Sequence, residues 1–265
     1  MVRRSLNRIA AGLVLLLALA ILPARAQTEV DLALVLAVDI SYSMDPEEQA
    51  LQREGFAEAF RSPLVHDAIR RGMLGRIAVV YMEWAGANDQ QVIIPWSVLD
   101  NPETILAFAH KIASVPLRRA QRTSVSGAID FGVQLLEKSG FAATRRVIDI
   151  SGDGPNNQGR LVVPARDEAV AKGITINGLP IMLRRPGYLD IPELDLYFKD
   201  CVIGGQGAFM VPVREREQFP QAIKTKILLE IAGLTPSEPL VQPIQTAPRS
   251  NCLVGETQWR DRMGN

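Results

Sequence analysis

The 265-residue sequence is poor in the side chains that carry most soft-metal and acid–base chemistry. It has two histidines, His66 and His110, and two cysteines, Cys201 and Cys252. No paired cysteine motif is present from which a zinc or copper site could be built. Both histidines fall in helical patterns and read as structural or solvated side chains, not as a general base. No G-x-S-x-G elbow occurs. An excess of one charge is also missing. Lys+Arg total 29 against 29 Asp+Glu, with no basic stripe, which argues against nucleic acid as a partner. After residue 26 no apolar run approaches the ~20 residues that span a bilayer. Internal repeats and low-complexity tracts are lacking as well.

What is present begins with a leader. Arg3, Arg4 and Arg8 precede the run IAAGLVLLLALAIL, which ends at Leu22, and PARA closes with Ala24 and Ala26 in an A-x-A pattern. The run is about 14 residues, short of a membrane span. Residues 1–26 therefore read as a secretory signal peptide cleaved after Ala26. No cysteine follows the cleavage point to carry a lipid. The mature chain is expected in the periplasm or outside the cell, with 25 basic and 29 acidic residues and a net charge of about −4. In an oxidising compartment Cys201 and Cys252 are expected to form a disulfide.

The remainder alternates between strand and helix patterns. VDLALVLAVD (30–39) is a near-continuous apolar run, as a strand buried on both faces requires. Asp45, Pro46 and Glu48 spell a capped helix start, and that helix runs to about Arg61. Strands are predicted at 76–85 and 91–99, joined by a short hairpin link, and Pro95 assigns the second to a sheet edge. Helices follow from Pro102 to Ala113 and from Ser124 to Lys138, the latter ended by Gly140. Further strands are predicted at 145–154, 174–182 and 208–213, and helices at 164–172, 193–202 and 215–232. From Leu234 the chain carries Pro236, Pro239, Pro243 and Pro248, so residues 233–265 read as an extended tail. The expected architecture for 27–232 is a doubly wound α/β fold. It has a mainly parallel six-stranded sheet with one antiparallel edge strand.

Such sheets bind ligands at the carboxyl ends of their strands, where strand order reverses. Asp39, Ser41 and Ser43 stand there at i, i+2 and i+4, so in an extended segment their side chains point the same way. The loop QRTSVSGAI supplies Thr123, with Ser124 and Ser126 nearby, and SGDGPNN supplies Asp153 between two glycines. A carboxylate with hydroxyls is a hard oxygen set, suited to Mg²⁺ or Mn²⁺, with Ca²⁺ also fitting. Taken singly, Ser41 and Ser43 read equally as turn residues, Thr123 or Ser124 as a helix cap, and Asp153–Gly154 as a turn pair. Glu83 ends a strand at the same edge and reads as a satisfied or solvated side chain. Asp149 lies within a strand with no evident partner, and Trp84 and Trp96 read as packing.

D-x-S-x-S after the first strand, a Thr before a central helix and D-G after the fourth strand together resemble the von Willebrand factor A domain. They match its metal-ion-dependent adhesion site. The resemblance covers roughly residues 30–232. KDCVIGGQGAFMVPV is similar to a late segment of an uncharacterised group of secreted bacterial proteins of this type. It implies that Asp39, Ser41, Ser43, Thr123 and Asp153 ligate one divalent cation. It also implies a non-enzymatic, adhesion-type module whose protein partner supplies an acidic residue. The competing readings are a degenerate structural domain without metal and a metal-dependent hydrolase. The chain departs from the family's usual glycines at Tyr42, between the serines, and at Arg122, before the threonine; both crowd the rim.

Overall fold

The computed structural model describes residues 27–183, 191–234 and 250–263. The expected signal peptide (1–26) and the prolines at Pro236, Pro239, Pro243 and Pro248 lie outside the described residues. Strand β1 (Thr28–Asp39) is followed by α1 (Pro46–Arg61), α2 (Pro63–Arg70), β2 (Ile77–Trp84), β3 (Gln90–Leu99) and α3 (Pro102–Ser114). Then come α4 (Val125–Glu137), β4 (Phe141–Gly152), α5 (Val162–Ala171), β5 (Thr175–Pro180) and α6 (Leu194–Tyr197), which runs on as a π-helical turn (Phe198–Val202). Helix α7 (Phe219–Ala232) and helix α8 (Val254–Met263) close the described chain.

The sheet has the order β3-β2-β1-β4-β5, parallel throughout except for β3. Strand β1 sits in the middle, paired with β2 on one side and β4 on the other. Connections leave β1 in both directions, so the reversal of strand order falls at its carboxyl end. Side chains of β1 alternate between two cores. Leu32, Leu34 and Leu36 pack with Phe56, Phe60, Phe108 and Ile223. Ala33, Val35 and Ala37 pack with Ile129, Ile148 and Phe198 on the opposite face. Burial of one such large aliphatic or aromatic side chain contributes about 1.5–3 kcal/mol, which anchors the strand whose end carries Asp39.

The capped start of α1 is as its sequence reads. Asp45 accepts from the Glu48 N–H at 2.8 Å, and Glu48 returns the bond to the Asp45 N–H at 2.9 Å. Strand β3 is the antiparallel edge, and the register slips between Val79 and Tyr81, opposite Pro95. A proline that cannot donate to a ladder is tolerated at such a bulge. Helix α2, opened by Pro63 at its N-terminus, has no counterpart in the sequence reading.

Two expectations are corrected. The sheet has five strands, not six, because residues 208–213 touch β5 only through isolated bridges, Gly178 to Met210 and Ile181 to Val213. Both bridges carry the same offset, which places Pro180 opposite Pro212. The Val211 and Val213 N–H groups donate to the Gly178 and Pro180 carbonyls at 3.0 and 2.9 Å, but Pro180 has no N–H to return, so the ladder is interrupted between the two bridges. The tail is not extended throughout, since Val254–Met263 is helical. All four of its prolines precede that helix.

Asp149, the acid inside β4, meets Lys226 of α7 at 2.6 Å, and Lys226 also reaches Glu230 at 2.6 Å. Asn177 donates to Glu230 at 2.8 Å, so the buried charges lie in one network. Cys201 and Cys252 form a disulfide, with Cα atoms 5.5 Å apart and a separation of 51 positions in sequence. Opening it by Cys252→Ser should cost about 4 kcal/mol in the chain-entropy account. Denaturant titration of the variant measures that loss. Thiol labelling of the unreduced, denatured protein checks the bridge, and uptake of label at both cysteines would contradict it.

Candidate functional site at the carboxyl edge of the sheet

Three loops meet where β1 and β4 end. Asp39 is the last residue of β1 and is fully buried. Its Oδ1 accepts from the Ser41 N–H at 2.7 Å, which folds the first loop back on the strand end. Ser41 is buried, Ser43 is half-buried and Tyr42 between them is 54 % exposed. The segment is not extended as its spacing suggests but a turn, closed by the Met44 N–H donating to Ser41 O at 3.0 Å, which brings the two serines together. Ser41 Oγ and Ser43 Oγ share a hydrogen bond at 2.7 Å, and Ser43 Oγ donates to Asp153 Oδ1 at 2.6 Å. First and third loops are thereby joined through side chains.

The second loop is zipped to its neighbours by backbone bonds. The Ala120 N–H donates to Ile40 O at 3.0 Å, and the Ser124 N–H donates to Ala85 O at 2.7 Å. Thr123 is buried; its N–H donates to Asn157 Oδ1 at 3.0 Å, and the Asn157 N–H returns to Thr123 O at 2.8 Å. Ser124 caps α4 by accepting from the Gly127 N–H at 3.1 Å. Asn156 Oδ1 accepts from the Ser126 N–H at 3.0 Å. Asn156 and Asn157 were not singled out from sequence, although PNN directly after the D-G turn places amides where loops must be tied.

Of the two glycines beside Asp153, only Gly152 is needed for close approach. A Cβ there would lie 3.0 Å from Asp39 Oδ2 and 3.2 Å from the Trp84 ring, whereas one at Gly154 meets nothing. Glu83 is not part of the cluster. It is buried against Arg53 at 2.5 Å, with Arg118 at 3.6 Å, and burial raises its pKa despite both cations. Arg53 also donates to the Val115 carbonyl. Trp84 is wholly buried, as packing requires, and His66 is engaged with the Phe60 carbonyl at 2.8 Å.

The donors fit a hard cation on one observation in particular. Asp39 Oδ2 is buried and accepts no hydrogen bond of normal geometry. Among the described residues no group of three or more His, Cys, Asp or Glu side chains forms a metal cluster, so hydroxyls would have to complete any coordination. Burial, and after it the charge of Asp153, push the Asp39 carboxyl up to about 8, while hydrogen bonds from Ser41 and from the Asp153 backbone pull it down.

The model of a family described as a protein of unknown function (DUF1194) matches residues 29–235. The chain belongs to this family. No curated protein matches it. Its fold is that of the von Willebrand factor A domain, as solved structures show. The vWF domain of the type V pili tip protein Mfa5 from Porphyromonas gingivalis is 12 % identical, with a TM-score of 0.52 over 80 % of this chain and 99 % of that one. The pilus adhesin SpaC from Lactobacillus rhamnosus GG is 10 % identical, with a TM-score of 0.58 over 79 % of this chain and 31 % of that one. Proximal thread matrix protein 1 from the mussel byssus, with a zinc-occupied MIDAS motif, is 13 % identical, with a TM-score of 0.53 over 77 % and 49 %. The chain thus spans about half the length of the mussel protein and less of the adhesin.

Two predictions follow from the site's charges. Arg53→Met leaves the buried Glu83 without its close cation and should destabilise the protein by about 3–5 kcal/mol, read by denaturant titration. Asp39 has a folded pKa raised above its unfolded value of about 3.9, so the folded state retains a proton that the unfolded chain releases. Its contribution to stability is complete below about pH 4 and is lost as pH rises through about 8. Asp149, pushed up to about 6 mainly by burial, adds the same trend over the lower part of that range. In chelator the melting temperature should therefore fall between about pH 6 and 8, and Asp39→Asn should flatten the fall. An equal slope in the variant would remove Asp39 as its cause.

Proposed function

We propose that the chain is an exported, adhesion-type protein-binding module that holds Mg²⁺ or Mn²⁺ on Asp39, Ser41, Ser43, Thr123 and Asp153. One observation carries this reading. Other buried acids are answered within the chain: Glu83 has Arg53 at 2.5 Å, Asp149 and Glu230 share Lys226 at 2.6 Å, and Glu48 accepts from the Asp45 N–H in the capping box of α1. Among the described residues no Lys or Arg pairs with Asp39, and its inner oxygen accepts no hydrogen bond of normal geometry. A buried carboxylate is expensive unless it is paired, protonated or bound to metal. Two acids and neutral hydroxyls would supply the first half of the coordination. A bound cation supplies a centre of positive charge there, which suits an acidic side chain of a protein partner. The second loop adds Arg118, Arg119 and Arg122 to the rim.

The leader sequence supports export, and no helix among the described residues is long and apolar enough to cross a membrane. Similarity in fold to a pilus adhesin and a pili tip protein supports adhesion over catalysis. Neither histidine lies on the three loops to act as a general base. A metal-free structural role is favoured by a separate observation, since Ser41, Ser43 and Asp153 already bond one another at 2.6–2.7 Å.

Cation titration decides between the two. Mg²⁺ or Mn²⁺ at 100 times the dissociation constant should stabilise the mature protein by about 2.7 kcal/mol. Asp39→Ala should abolish the shift. Capture of an envelope or extracellular partner should cease in chelator, return with Mg²⁺, and be lost in Thr123→Ala whose circular dichroism is unchanged. No stabilisation by either cation would leave the metal-free role standing.

A further inference from the structure

We propose that the C-terminal helix α8 positions the second site loop, with Trp259 holding Arg122 in a left-handed backbone conformation and so setting where Thr123 lies. This inference rests on the reading of Thr123 as a cation ligand. Arg122 has φ +75°, the one non-glycine with positive φ among the described residues. Side chains with a Cβ avoid that region, and a residue is held there only when its surroundings over-determine it. Thr123, the next residue, inherits its direction from that turn.

The restraints on Arg122 come from two sides. Ala120, Thr123 and Ser124 are fixed by the backbone bonds to Ile40, Asn157 and Ala85. The Arg122 guanidinium itself lies over the Trp259 ring, its Cζ 3.5 Å from the centroid. Such a stack is worth most where it is shielded from water, and Trp259 is partly buried.

Helix α8 is held at this place by three further contacts. The Cys201–Cys252 bridge fixes the chain just before its first turn. Glu256 Oε1 accepts from Asn156 Nδ2 at 2.8 Å. Gly255 lies so close that a Cβ would come 2.1 Å from Asn156 O. The helix thus touches the third loop through Asn156 and the second through Arg122. It fastens together the two loops that carry Asp153 and Thr123. The conformation needed at residue 122 is one that glycine adopts freely, so an arginine there makes the loop depend on the helix.

The test uses the mature chain with Trp259→Ala, Trp259→Phe, and Trp259→Ala combined with Arg122→Gly. Two quantities are read: hydrogen exchange at the Ser124 and Asn157 amides without cation, and Mn²⁺ affinity by calorimetry. Trp259→Ala should speed exchange at both amides while β1 and β4 amides keep wild-type rates, and should weaken Mn²⁺ binding about tenfold. Trp259→Phe, which retains a flat ring, should behave as wild type. The double variant should recover both quantities, because glycine keeps the turn without the stack. Wild-type exchange in Trp259→Ala, or a double variant as impaired as the single, would overturn the proposal. Wild-type protein that binds no Mn²⁺ would sink the metal reading instead, and the exchange measurement would still decide the clamp.

Discussion

A carboxyl group buried at the end of the central strand constrains everything around it. Asp39 lies at the point where the sheet's order reverses, beneath three loops and beside Trp84, with Gly152 leaving room only for its own backbone. Asp39 is out of reach of solvent, and one of its oxygens finds no hydrogen bond of normal geometry. Each loop has to satisfy its polar groups against the others, because solvent cannot. That requirement accounts for the chain of bonds from Asp39 through Ser41 and Ser43 to Asp153, and for the pair of bonds between Thr123 and Asn157, one to the Asn157 side chain and one from its backbone.

The protein handles buried charge in two ways. On the two packed faces, acids are matched by long cationic side chains from helices: Arg53 of α1 for Glu83, Lys226 of α7 for Asp149 and Glu230. These pairs are neutralised within the chain and are fixed by the cores that surround them. At the carboxyl edge the matching side chain is missing, and the arginines of the second loop are engaged elsewhere. Arg118 leans toward Glu83 and Asp89, Arg119 lies over the Tyr42 ring, and Arg122 lies over Trp259. Basic residues therefore frame the rim without entering the centre.

The crowding expected from Tyr42 and Arg122 has a definite form. Tyr42 projects outward, with Arg119 donating to its carbonyl at 2.8 Å, so it narrows the approach without touching the serines' inward face. Arg122 turns away from the centre to meet the C-terminal helix. The disulfide-tethered helix α8 is thereby brought into the neighbourhood of the site.

Local signals were sufficient for much of this. The apolar run of β1, the capping box at Asp45 and Glu48, and Pro95 at the edge strand act through periodicity, capping and a missing donor, all of which are local. The spacing of Asp39, Ser41 and Ser43 is also local, and the motif order picked out three loops that the fold brings together, although the serines lie in a turn and not in an extended segment. What depends on distant residues was not legible. The loss of a sixth strand needed the register that sets Pro180 against Pro212. Lys226 stands 77 positions from Asp149, and Trp259 stands 137 positions from Arg122, so neither pairing leaves a trace in local pattern. Sequence by itself determined the central strand, the capped start of α1 and the order of carboxyl and hydroxyl groups along the chain, but not helices α2 and α8, because local pattern speaks only through near neighbours. Only tertiary structure decided which charges are paired, which oxygen is left alone and which helix leans on the site, because those follow from packing between segments far apart.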